Sequence, residues 1–436
     1  MSGRPFRFLH ASDLHLELPL HGLAEVPEHL RDRFLDAPYA AARKLFELAL
    51  SEDVEFVVLA GDVLNIQAAG PHSLDLLLSQ LQRLHDHKID VFWAGGRVDQ
   101  PTSWPAAAPL PPNVHLFAEA ETIAYSARQD LGTVASIVGS SNPSAEIIRA
   151  DNYHPEAGQF TVGVAYGPCD PGELKQRGID YWALGGKHNS STPLQNPTVA
   201  HYCGSCQGRN SAEAGPHGCT LVSVDGSGRI HRQLIPVDAV RWQNEILELP
   251  DTMTEDQLLR LLRDQCRAVA IQSEADQVTI VSWLLTDSDQ LTDTHSDLLA
   301  ARLRSGGLDE DILRSLREEF GSQQPCVWAA SIEAEPPSVL PAGWYEEDTV
   351  LGDLLRQVQS LQRDPDKPFQ VEVDDSEAAV FNELRTVLRI SSTEERNQIL
   401  KRVASLGVDL LRGDRVLSHE ELPAQASYST QNWKSV

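Results

Sequence analysis

Two short stretches carry the residues whose types and spacing could do chemistry. Ser12-Asp13-Leu14-His15 sets a carboxylate and an imidazole two positions apart, and Gly61-Asp62 adds a second carboxylate. Oxygen and nitrogen donors in that mixture suit a hard or borderline divalent metal. Each pattern alone says little, because Asp-x-His occurs by chance and Gly-Asp after a strand is often only a turn. The elements around them make the combination informative. Residues 6–10 (FRFLH) read as a short buried strand, residues 54–60 (VEFVVLA) as a second apolar and β-branched run, and residues 39–50 between them carry Leu45 and Leu48 at helical spacing. That order predicts a β-loop-α-β unit with parallel strands, whose two loops open at the same carboxyl edge. Ligands of open α/β sheets sit at that edge.

The whole chain bounds this reading. At 436 residues it is too long for one ordinary core, so two or three domains are expected. No apolar run approaches the length that spans a membrane, and the N-terminus lacks the charged, apolar and small-residue series of a secretory signal. The 6 cysteines do not make a disulfide framework over such a length, and a reducing cytoplasm is the expected location. The formal net charge of -27 argues against a chain that grips nucleic acid by itself, since phosphate neutralisation by Lys and Arg supplies most of that affinity. A local basic patch would have to work against the global field.

Further along, residues 73–88 put Leu74, Leu77, Leu78, Leu81 and Leu84 on one helical face, which predicts a helix packed on the sheet. Residues 89–94 form the next expected strand, ending in Gly95-Gly96-Arg97-Val98-Asp99. Strands are also expected over 114–117, 133–139, 159–164 and 180–184, the last running into Gly185-Gly186-Lys187-His188.

The segments HASDLHLELPLHGL and FVVLAGDVLN, with Tyr181-Trp182-Ala183-Leu184-Gly185 and Gly204-Ser205-Cys206-Gln207-Gly208-Arg209 further on, resemble the calcineurin-like metallophosphoesterases. Within that family the likeness is to the DNA double-strand-break repair exonucleases of the SbcD and YhaO type, over residues 1–240. The resemblance implies an α/β fold, a four-layer αββα sandwich, with Mn or another divalent metal. It also implies a site of two metals bridged by the Gly-Asp carboxylate. The first-metal positions are all present here, as Asp13, His15, Asp62 and His188. Every second-metal position is changed: Gly96 stands where Asn is expected, Tyr166 where a lone His is expected, and Gly186 where the first His of Gly-His-x-His is expected. Arg97 stands in the place of the family's acid His and cannot shuttle a proton, although its fixed charge could stand in part for the missing cation and bind a phosphate oxygen. One metal's ligands survive together and the other's vanish together, so one metal site at most is expected. Two-metal hydrolysis uses the pair to activate and clamp attacking and leaving oxygens, so a single metal without the acid predicts crippled turnover.

Cys203-x-x-Cys206, followed by His217 and Cys219, superficially suggests a zinc or redox site. Its spacing is irregular for the common zinc modules, structural packing is the favoured reading, and the role of Cys203 and Cys206 stays open. His217 is expected to be a hydrogen-bonded turn residue, and His10 a core residue at a strand end.

The first domain is expected to span 1–240. A capping α+β domain follows over 241–335, with a helix over 254–267 that opens on a capping box of Thr254 and Gln257, strands over 278–286 and 327–333, and helices over 295–304 and 309–320. Pro336-Pro337 and Pro341 mark a linker. Residues 345–414 read as helical, with helices over 349–361, 376–390 and 392–411, and 415–436 as a disordered tail. The apolar helical faces suit either a small bundle that buries its own face or, from the family's architecture, a docking segment for an SbcC-like or YhaN-like coiled-coil ATPase. A homodimer through the first domain is also an expectation of the resemblance.

Three functions from different classes follow. The first is a weakened or inactive one-metal homologue that serves as scaffold or regulatory subunit of a DNA-repair-type ATPase complex. The second is an active Mn-dependent phosphodiesterase or exonuclease that uses one metal plus Arg97. The third is a phosphate-ligand binding module. The acidic balance and the grouped losses favour the first, while family likeness alone would favour the second.

Overall fold

Alternating apolar strands and helices give an α/β sandwich. The structure, a computed structural model, describes residues 4–23, 26–118, 123–126, 134–155, 158–250, 253–287, 303, 308–334, 342–364 and 393–411. The expected helices over 295–304 (apart from residue 303) and 376–390, the linker prolines Pro336, Pro337 and Pro341, and the tail over 415–436 lie outside the described residues.

The sandwich opens with β1 (Phe6–Ala11), α1 (Glu28–Ser51), β2 (Phe56–Ala60), α2 (Pro71–Asp86), β3 (Asp90–Ala94) and β4 (Val114–Phe117). A second series comprises β5 (Ile123–Ser126), β6 (Ser136–Ser140), β7 (Thr161–Tyr166), α3 (Pro171–Lys175), β8 (Tyr181–Gly185), β9 (Ser191–Leu194) and β10 (Val199–Tyr202). Strands β11 (Gly218–Val224) and β12 (Ile230–Pro236) then return to the first sheet. The first sheet runs β12-β11-β1-β2-β3-β4 and the second β5-β6-β7-β8-β10-β9. Strands β1 to β4 are mutually parallel, as are β6, β7, β8 and β10. The outer pairs are antiparallel, with β11 against β1 and β5 against β6.

These strands are apolar throughout because successive side chains point to opposite faces and both faces are buried. In β1, β2 and β3 one face points Phe8, Phe56, Val58 and Phe92 at the second sheet, where they join Ile137, Val162 and Tyr181. The other face points Leu9, Val57, Leu59, Val91 and Trp93 at Leu45 and Phe46 of α1 and Leu77 and Leu81 of α2. The second sheet is covered on its far side by a thinner layer, in which Ile148, Tyr153 and Leu174 of α3 pack on Trp182 and Tyr202. Helix α1 is longer than its periodicity predicted, because it runs through Pro38 from Glu28.

The later elements are β13 (Val240–Leu249), α4 (Glu255–Gln272), β14 (Val278–Asp287), α5 (Leu308–Phe320), β15 (Cys326–Ala334), α6 (Ala342–Glu346), α7 (Val350–Arg363) and α8 (Thr393–Leu411). Strands β13, β14 and β15 form a three-stranded sheet in that order. By packing, the chain divides into two compact units. One comprises Met1–Asn244, Gln265–Ser282 and Arg317–Ala330, and the other Glu245–Asp264, Trp283–Leu316 and Ser331–Val436. In the second unit Leu351, Leu355 and Val358 of α7 bury against Leu400, Ala404 and Val408 of α8. Among the described residues no helix is long and apolar enough to cross a membrane.

Candidate metal centre

The parallel strands end together, so their carboxyl-end loops share one edge of the first sheet. Asp13, His15 and Asp62 all take left-handed backbone conformations there, with φ of 52°, 42° and 54°. Such angles are uncommon for residues with a Cβ and persist only where the surroundings hold them. Here the two loops are laced together: Asp13 N donates to Gly61 O at 2.9 Å, His15 N to Asp62 O at 3.0 Å and Leu16 N to Val63 O at 3.3 Å. Asp99 completes the frame from the loop after β3. Its buried carboxylate accepts from Asp62 N at 3.0 Å, Gly96 N at 2.6 Å, Val63 N at 3.0 Å and Trp93 Nε1 at 2.8 Å. Burial, with the nearby Asp62 charge, pushes the Asp99 carboxyl up to about 6 against those donors.

The second sheet delivers His188 to the same edge from the loop after β8. Ligand atoms of Asp13, His15 and His188 lie within 4.8 Å of one another. Asp13 Oδ2 accepts from Ser12 Oγ at 2.6 Å and Gly186 N at 3.0 Å, whereas its buried Oδ1 has no hydrogen-bond partner. A buried carboxylate oxygen left unpaired is costly, and a cation satisfies it. Burial raises the Asp13 carboxyl, while the Ser12 and Gly186 donors and the His188 charge oppose the rise. His15 Nδ1 meets Glu17 Oε1 at 3.3 Å, and His188 Nδ1 meets Glu213 Oε1 at 2.6 Å. That contact raises the His188 imidazole and, against the penalty of burial, holds Glu213 down to about 2. The His188 side chain is 38% exposed, which leaves the centre open to solvent. Two imidazoles and a carboxylate with an open side fit one divalent ion.

Asp62 stands beside this trio, its Oδ2 3.5 Å from His15 Nε2, but outside the three-residue grouping. Each of its oxygens accepts one hydrogen bond and keeps further acceptor capacity. Val98 N donates to Oδ1 at 3.0 Å, and Tyr166 OH donates to Oδ2 at 2.5 Å. Tyr166, at the end of β7 and 4% exposed, thus lays its ring along the side of Asp62 next to Gly96 and Gly186. The glycines there make the room. A Cβ at Gly96 would sit 2.6 Å from Asp62 Oδ1 and 2.8 Å from Tyr166 Cε2, and one at Gly186, where φ is +95°, would sit 3.3 Å from Tyr166 Cε2. Burial and the Asp62 carboxylate both push the Tyr166 hydroxyl far above its ordinary range, so it stays a protonated donor. Arg97 is exposed and makes no hydrogen bond or ion pair with the described residues, although its charge reaches Tyr166.

Comparison with known proteins agrees with this site chemistry. The chain is 25% identical over 397 residues to the uncharacterized metallophosphoesterase YhaO of Bacillus subtilis (strain 168), an alignment that covers 82% of this chain and 90% of that protein. The chain is a relative of the metallophosphoesterases. No family model matches it. Among solved structures it is similar to vacuolar protein sorting 29 from Cryptosporidium parvum, with 15% identity and a TM-score of 0.27 over 53% of this chain and 96% of that one. That likeness is too slight to carry an argument.

For a relative of metallophosphoesterases, the pattern of Asp-x-His and Gly-Asp pointed to the strand ends but not to what supports them. Glu17, Asp99 and Glu213 carry much of the site's order and were not singled out in the sequence. A clue existed in each case: an acidic residue next to a motif that folds into a buried loop needs a donor partner. The Gly204 to Arg209 segment is structural. Gln207 bonds to Val240 O, Ala239 N and Val240 N, while Arg209 Nη2 reaches Asp13 O at 3.2 Å and Leu14 O at 3.3 Å from below the site. Cys203, Cys206 and Cys219 are free and buried, with thiols raised by that burial, and Cys203 Sγ lies 3.1 Å from Ser12 Oγ. His217 bonds Ser205 Oγ at 2.9 Å and Glu213 O at 3.0 Å within its turn, and His10 meets Tyr181 OH at 3.0 Å in the core.

Proposed function

We propose that this chain is a one-metal metallophosphoesterase homologue with weakened or no hydrolysis, which binds a phosphoester-type ligand at the edge of the sandwich. The observation that carries the reading is Tyr166. Its ring and hydroxyl occupy the side of Asp62 that a second cation would need, and Gly96 and Gly186 offer that side no ligand. The first-metal side keeps Asp13, His15 and His188 with an unpaired carboxylate oxygen. A divalent ion held there supplies Lewis-acid polarisation of a phosphoryl oxygen. The chain's own residues orient rather than turn over the ligand. Tyr166 holds Asp62 by its proton, and the exposed Arg97 offers a fixed charge for a phosphate oxygen. The resemblance extends the proposal to a scaffold or regulatory subunit beside an SbcC-like or YhaN-like ATPase, with Ile399, Val403 and Leu411 on α8 as exposed apolar residues for such a contact.

The test is metal content under Mn titration, paired with hydrolysis of a generic phosphodiester. About one Mn per chain, lost in His188→Ala and without turnover, is the expected result. Two Mn per chain with turnover would overturn it. Turnover with a single Mn, abolished in Arg97→Ala, would favour the second reading, in which Arg97 completes a working site.

A further inference from the structure

The two imidazoles of the trio are held by the same device. Glu17 Oε2 accepts from the backbone N–H of Asn65 at 3.0 Å, while its Oε1 faces His15 Nδ1 at 3.3 Å. Glu213 Oε2 accepts from the backbone N–H of Arg209 at 2.9 Å, while its Oε1 faces His188 Nδ1 at 2.6 Å. Each glutamate thus spends one oxygen on a loop of the site and the other on a histidine. Both are sheltered, with side-chain exposures of 2% and 12%. An ionised carboxylate only accepts, so the hydrogen in each pair belongs to Nδ1. A neutral imidazole carries one N–H, and its other nitrogen then presents a lone pair.

We propose that Glu17 and Glu213 are positioning residues that fix His15 and His188 as Nδ1–H tautomers, which leaves each Nε2, that of His15 lying 3.5 Å from Asp62 Oδ2, with a lone pair for the ion that the trio would share. This proposal deepens the one-metal reading and rests on it for its consequence, though not for its direct measurement. The glutamates come from different parts of the chain, one two residues after His15 and the other 25 residues after His188. Their shared geometry therefore does not follow from one local turn. With both tautomers set in advance, ion binding needs no imidazole proton to move and no ring to flip.

Glutamine separates tautomer control from packing, because it keeps the shape of glutamate. In Glu17→Gln or Glu213→Gln the single amide oxygen is claimed by the backbone N–H, and the NH2 turns toward Nδ1. That imidazole must then accept at Nδ1 and carry its hydrogen on Nε2, which blocks it as a ligand. The experiment is long-range 1H–15N correlation NMR on the full chain labelled with 15N-histidine, metal-free and followed from about pH 7 to about pH 10, so that His188, which Glu213 raises, is also read in its neutral form. The wild type is expected to show Nδ1–H at His15 and His188. Glu17→Gln should switch His15 alone and Glu213→Gln should switch His188 alone. Each should weaken Mn binding about 10–100-fold in titration. An Nε2–H wild type, or tautomers unmoved by folded glutamine variants, would overturn the proposal. Should a variant fail to fold, the wild-type spectrum alone still decides. A wild type with both Nδ1–H tautomers that binds no Mn would sink the one-metal reading and leave tautomer control standing.

Discussion

A side chain at position 96 would have nowhere to go. The loop after β3 passes so close to Asp62 and Tyr166 that a Cβ would lie 2.6 Å from one and 2.8 Å from the other, and both are pinned by the hydrogen bond between them. Gly96→Asn, one of the changes toward the two-metal pattern that the resemblance implies, should therefore destabilise by about 1–3 kcal/mol through overpacking and gain no metal. Urea unfolding checks this. In a Tyr166→Ala background the cost should shrink, since the residues share a contact and their effects do not add. Additive costs would mean that the tyrosine ring is not what excludes a side chain there.

Elements obey local rules until packing overrides them. Pro38 donates no hydrogen and crowds the preceding turn, which disfavours a helix interior. Helix α1 nevertheless continues through it, since Leu30, Phe34 and Ala37 bury among Val240, Trp242 and Ile280. The start of α4 is the opposite case, in which local chemistry decides. Thr254 N donates to Gln257 Oε1 at 2.8 Å and Gln257 N to Thr254 Oγ1 at 3.4 Å, the reciprocal pair of a capping box. Thr254→Ala should cost about 1 kcal/mol. A thermal midpoint unchanged by it would show that α4 is held by packing alone. Helices α7 and α8 bury apolar faces on each other, which accounts for most of the pattern that a docking segment would also show.

At the scale of the molecule, the two sheets are joined by a buried histidine as well as by phenylalanines. His201 of β10 bonds Thr192 Oγ1 at 2.9 Å and Thr220 Oγ1 at 2.8 Å, and its ring meets that of His10 edge-on at 5.9 Å. Burial and the neighbouring Arg232 charge bring His201 down to about 4, and His10 is lowered in the same direction. The unfolded chain takes its proton near the ordinary value of about 6.5, before the folded chain does. Stability from His201 is thus complete above about 6.5 and declines as pH falls toward about 4, by up to about 3 kcal/mol at 1.4 kcal/mol per unit. His201→Gln should flatten that acid limb in urea midpoints measured from about pH 7 to 4. An equally steep limb in the variant would place the sensitivity elsewhere.

What the sequence determined by itself was local and periodic. The doubly apolar runs of β1, β2 and β3 mark strands buried on two faces, and their parallel order brings the loops of Asp13, His15 and Asp62 to one edge, because both follow from side-chain period and connection handedness. Gly96, Tyr166 and Gly186 were likewise legible residue by residue, as departures from the pattern that the resemblance implies. Tertiary structure alone decided that these three residues interlock, with the Tyr166 ring close over both glycines and its hydroxyl bonded to Asp62. It alone decided that Glu17 and Glu213 stand behind the histidines and that Asp99 gathers four donors under the loops. The physical reason is range. Tyr166 and Asp62 are 104 residues apart, and Gly186 and Asp13 are 173 apart. Such pairs are joined only when two sheets that are each legible alone pack face to face, and no period within either one encodes that approach.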